Sequence, residues 1–118
     1  MKWENLSQDE RDAIKEELVK YTQRFQDYGI IKLDADVKYY VGGSWVKGNA
    51  DEFSDVDLFV VTQRANIIED LEPKKRAELW KKKMYWVFMA QKNPAINRPL
   101  HIFFVSDFRF NKMKSIEL

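Results

Sequence analysis

Gly42-Gly43-Ser44-Trp45-Val46-Lys47-Gly48-Asn49-Ala50-Asp51-Glu52-Phe53-Ser54-Asp55-Val56-Asp57-Leu58 is the stretch from which the fold is read. Val37 to Val41, just before it, is β-branched and aromatic and runs into paired glycines, the pattern of a strand delivered into a tight turn. Ser44 to Lys47 has room for one short helix, stopped at Gly48. Val56 to Val61 is a continuous apolar run, which predicts a central strand buried on both faces. Side chains alternate along such a strand, so Asp55 and Asp57 share one face while Val56 and Leu58 take the other.

Two carboxylates side by side repel, and one tends to keep its proton unless a cation sits between them. Hard oxygen ligands of this kind suit Mg²⁺ together with phosphate oxygens, so a divalent metal site is the economical explanation of Asp55 and Asp57. Gly42-Gly43-Ser44 complements them. Glycine lets the backbone approach a ligand, the start of a helix offers N–H groups to phosphate, and Ser44 adds a hydroxyl donor. A phosphate cradle beside a metal-binding acid pair is a site for a metal-bound polyphosphate, where phosphoryl or nucleotidyl transfer depends on positioning and charge neutralisation. Folding alone offers a plainer account, in which Asp55 caps the start of a strand, Asp57 is a solvated edge residue and the glycines form an ordinary turn.

Working outward, Ser7 and Glu10 have capping-box spacing, and Ile14, Leu18, Tyr21, Phe25 and Tyr28 form one apolar stripe on a helix that Gly29 can end. Pro73 to about Met84 reads as a helix with Ala77, Trp80 and Met84 on one side. Tyr85 to Ala90 and Leu100 to Val105 read as strands, separated by a loop with Asn93-Pro94 and Arg98-Pro99. The order helix, strand, turn-helix, strand, helix, strand, strand predicts an α/β (α+β) domain with one small mixed sheet flanked by helices. At 118 residues the chain is expected to be a single domain over 1–118.

Twenty basic against nineteen acidic residues leave a charge of +1, so no overall field draws the chain to nucleic acid or anionic lipid. Without cysteine there is no disulfide framework, thiolate ligand or cysteine nucleophile. The charged start of the chain lacks the apolar run of a signal peptide, and no apolar stretch has membrane-spanning length, so a cytoplasmic location is expected.

The signature Gly43-Ser44, three residues, Gly48, five residues, then Ser54-Asp55-Val56-Asp57-Leu58 resembles that of the DNA polymerase beta-like nucleotidyltransferase superfamily, in the form carried by its small minimal nucleotidyltransferases. The ten residues between Ser44 and Asp55 are similar to the spacing of those minimal members, and Lys47 stands where they commonly carry arginine. The resemblance implies a polymerase beta palm-like fold. It further implies that Gly43, Ser44, Lys47 and Ser54 bind the nucleoside triphosphate, ATP or another, and that Asp55 and Asp57 ligate two Mg²⁺ ions. An acceptor hydroxyl would then attack the α-phosphate and pyrophosphate would leave.

Active members usually carry a third carboxylate on a later strand. Leu100-His101-Ile102-Phe103-Phe104 is similar to that segment with His101, the chain's one histidine, at the acidic position, so His101 is a candidate base or ligand and adds no negative charge. Asp107, in phase with His101, is an alternative acid or a turn residue. Trp45 either stacks on a base or fills core. Kinship also implies a small helical HEPN-type partner in a toxin–antitoxin pair, some members adenylylating a partner tyrosine; with no second domain expected to bind a small acceptor, the acceptor surface is expected to come from a partner or from a second copy of the chain. The rival readings are a catalytically weak nucleotide-binding or antitoxin module and an RNA-binding domain using Lys74, Lys75, Arg76, Lys81, Lys82 and Lys83, a cluster more simply read as a solvated helix face.

Overall fold

The computed structural model describes residues 1–27, 37–62, 86–89, 93–106 and 110–118. Helix α1 spans Gln8–Asp27. Ser7 starts it, its Oγ accepting from Glu10 N at 3.1 Å and its carbonyl from Arg11 N at 3.0 Å, which satisfies a donor that a helix start leaves without a partner. The Glu10 side chain does not close the expected capping box but turns to Arg98. Glu10 is only 5% exposed, and a buried carboxylate needs a countercharge far more than a helix start needs a second cap. Ile14 and Leu18 of the predicted stripe are fully buried and Tyr21 is half-buried. Tyr28, Gly29 and the Phe25 side chain lie outside the described residues.

The sheet is built from β1 (Lys38–Gly42), β2 (Val56–Thr62), β3 (Trp86–Met89), β4 (Leu100–Ser106) and β5 (Ile116–Glu117), with the one-turn helix α2 (Ser44–Lys47) between β1 and β2. Its order is β3-β4-β2-β1-β5. Strand β2 is antiparallel to β1 and parallel to β4, while β3 and β5 add antiparallel edges to β4 and β1. This is the small mixed sheet expected from the element order. The fifth strand was not expected, since two residues are too few for alternation to show. The predicted helix over Pro73 to Met84 lies outside the described residues.

Val41, Val56, Leu58, Val60, Leu100 and Ile102 are buried on one sheet face and share a core with Ile14, Leu18 and Trp45. Each such side chain contributes about 1.5–3 kcal/mol of burial, so this face can supply the stability and leave the other available for polar groups. On that other face Asp57, Phe59, His101 and Phe103 are half-buried, with the Phe59 and Phe103 rings stacked at 5.0 Å. The expectation that the second strand is buried on both faces is therefore corrected in part: β2 is central and Val61 is buried on the second face, but Asp57 and Phe59 there are only half-buried, so only the Val56-Leu58-Val60 side is enclosed along its length.

Candidate functional site

Gly42, Asp57 and His101 are register partners across β1, β2 and β4 and form one row over the sheet. Asp55 immediately precedes β2, and the alternation of the chain turns its carboxylate toward the same row. His101 Nδ1 lies 3.5 Å from Asp57 Oδ1 and 3.7 Å from Asp55 Oδ2. One ligand atom from each of the three residues falls within 4.8 Å of the others.

The glycine bend closes on the same point. Gly43 sits at φ 67° and ψ −146°, a conformation in which side chains are strained. A Cβ placed there would collide with Asp57 Oδ2 and come within 3.1 Å of Asp57 Cγ. Backbone conformation and space thus both demand glycine, because the bend rests directly on the Asp57 carboxylate. Its carbonyl accepts from Val46 N and Lys47 N at 3.1 and 3.0 Å, which winds α2, and Gly48 N closes the turn onto Ser44 O at 2.9 Å.

Burial, and next the charge of Asp55, push the Asp57 carboxyl above the ordinary carboxylate range, against the opposing pull of His101 and Lys47. The crowding inferred from alternation is therefore present, and a divalent cation between the acids would relieve it. The donor set fits one through Asp55 and Asp57, whose oxygens suit Mg²⁺ with phosphate, whereas the imidazole suits softer divalent ions and contributes no charge.

The structure brings together Asp55, Asp57, His101 and Gly43. Ser44, half-buried, follows Gly43 directly at the start of α2, and Lys47 ends that turn exposed. The Ser54 hydroxyl is engaged elsewhere, accepting from Asp51 N at 2.9 Å and donating to Asp51 Oδ1 at 3.2 Å within the turn that leads to Asp55. Trp45 is fully buried and fills core. Asp107 and the lysine-rich cluster lie outside the described residues.

An ion pair that sequence reasoning missed supports this corner. Arg98 Nε and Nη2 donate to Glu10 Oε2 and Oε1 at 2.8 and 3.0 Å, and Arg98 Nη1 donates to Glu52 O at 2.9 Å. Glu10 read as a cap and Arg98 as a loop residue, and no periodicity links residues 88 apart.

A family model described as a nucleotidyltransferase domain matches residues 23–114. The match contains β1 to β4 and every residue of the acid, imidazole and glycine cluster. No curated protein and no solved structure matches the chain.

Proposed function

The chain belongs to the nucleotidyltransferase domain family, and from that premise we propose that it moves AMP from ATP to a hydroxyl acceptor using two Mg²⁺ ions held at Asp55 and Asp57. The observation that carries this reading is the convergence of Asp55, Asp57 and His101 against the Gly43 bend. Gly43 lets the backbone approach the triphosphate, Ser44 donates its hydroxyl to a phosphate oxygen, and Lys47 adds positive charge beside them. Asp55 and Asp57 would hold the cations, which when bound would supply charge neutralisation for the phosphates. The acceptor oxygen forms a bond to the α-phosphorus as the bond to the bridging β-phosphate oxygen breaks, so pyrophosphate leaves. His101, whose Nδ1 faces both acids, takes the proton of the acceptor hydroxyl.

The acceptor in this reading is a tyrosine hydroxyl of a small helical HEPN-type partner, with the chain as the antitoxin of the pair and a second copy of itself as the other source of acceptor surface. In this reading it works in the cytoplasm; among the described residues no helix is long and apolar enough to cross a membrane. A second reading, a catalytically weak nucleotide-binding or antitoxin module, is favoured by one observation: an imidazole fills the place beside Asp57 where a further carboxylate would complete the cation site.

Incubation with labelled ATP, Mg²⁺ and the product of the adjacent reading frame, if that frame encodes a small helical protein, separates these. Label transfer that Asp57→Asn abolishes supports the enzyme. Nucleotide binding without transfer supports the module, and salt-sensitive RNA binding indifferent to Asp57 would replace both with the basic-patch reading.

A further inference from the structure

Three segments carry the candidate site: the bend at Gly43-Ser44, the turn 51–54 that delivers Asp55, and the start of β4 that delivers His101. All three meet at Arg98. Its Nη1 donates to Glu52 O at 2.9 Å, three residues before Asp55. Its guanidinium lies over the ring of Trp45, 4.8 Å from the centroid, and Trp45 directly follows Ser44. Trp45 Nε1 in turn donates to Ser54 O at 3.2 Å, the carbonyl that joins Asp55. Downstream, Pro99 O accepts from Val56 N at 3.0 Å, which pins the start of β2 to the start of β4. Arg98 is 8% exposed, and Glu10, held by the bidentate pair and by Asn97 N at 3.1 Å, anchors it to α1.

We propose that Arg98, acting through Trp45 and the Glu52 carbonyl, is a positioning residue that sets the separation between the Ser44 bend and Asp55 and thereby the geometry in which the acids take a cation. This rests on reading Asp55 and Asp57 as the cation site. A guanidinium suits the task because its planar fork satisfies Glu10 with two donors and still presents a third to Glu52, while its face lies on the indole. Lysine keeps the charge but lacks the fork. A residue that only stabilised the fold would change the unfolding temperature and leave a folded site's cation affinity alone.

The test is Mn²⁺ titration of the full chain, free ion read by electron paramagnetic resonance, beside thermal unfolding of each variant. Arg98→Lys tests the fork. Trp45→Phe keeps an aromatic ring in the core while removing the bond to Ser54 O and part of the indole face beneath Arg98, so it carries the test should Arg98→Lys not fold. Each, when folded, is expected to weaken Mn²⁺ binding by about 10–100-fold, the usual effect of losing a group that orients a ligand. Leu18→Ala, buried in the same core on α1, is expected to lower the unfolding temperature without changing affinity. Wild-type affinity in any site variant that folds overturns the positioning role, provided Asp57→Asn still weakens binding. Binding indifferent to Asp57→Asn overturns the cation-site reading and this proposal with it.

Discussion

Asp57 and His101 lie opposite one another on adjacent parallel strands, His101 Nδ1 3.5 Å from Asp57 Oδ1, so whatever stands at position 101 adjoins the half-buried acid. In His101→Asp a third carboxylate would join the cluster. Without metal it adds repulsion and lowers the unfolding temperature; with cation it adds a charged ligand and tightens binding, on the order of tenfold. Thermal unfolding in chelator and in excess Mn²⁺ should move in opposite directions relative to the parent protein.

Gly43→Ala tests the bend. The φ of 67° with ψ −146° is a region that costs a non-glycine residue on the order of 1–3 kcal/mol, and the new Cβ would also push the Asp57 carboxylate aside. Denaturant titration should show that loss, and metal affinity should fall with it. An unchanged affinity would mean that the bend does not set the position of Asp57.

Because the folded state holds the Asp57 proton more tightly than an ordinary aspartate does, keeping Asp57 ionised at neutral pH costs stability in the metal-free protein. That cost disappears as pH falls through the raised folded value. Asp57→Asn is therefore expected to raise the unfolding temperature in chelator near pH 7 while removing cation binding. In the parent protein, protons compete with the cation, so affinity should begin to fall at a higher pH than an unperturbed aspartate would give.

Glu10 has the opposite sign. Burial works against its ionisation, but the Arg98 hydrogen bond, the Asn97 N–H and the Arg98 charge together outweigh it and hold the carboxyl below its ordinary value of 4.5. The pair's contribution is present above that ordinary value and is lost as pH falls through the depressed folded one. Glu10→Ala strands a buried guanidinium and should cost about 3–5 kcal/mol, read as a lower denaturation midpoint, with a smaller acid-induced loss than the parent shows.

Local signals made the middle of the fold legible. Gly42 to Leu58 announced a bend, a helical turn and a strand start because each depends on neighbours a few residues away, and alternation alone placed Asp55 and Asp57 on one face. The parallel pairing of β2 with β4 was not legible, since register between strands separated by a long connection leaves no local trace. Hence His101 was assigned its place beside Asp57 by resemblance rather than by derivation. The Glu10–Arg98 pair was hidden for the same reason, each partner having an adequate local explanation. Burial of both faces of β2 was over-read because an apolar run does not report that Phe59 faces a half-open side.

In the proposed function the acids at Asp55 and Asp57 hold a divalent cation against the Gly43 bend. Paramagnetic broadening by substoichiometric Mn²⁺, mapped over the backbone amide resonances, reports where that cation sits. Gly43, Ser44, Asp55, Asp57 and His101 are expected to broaden first and Asp57→Asn to abolish the effect; broadening centred elsewhere, or unchanged in that variant, would rule out a cation at these acids.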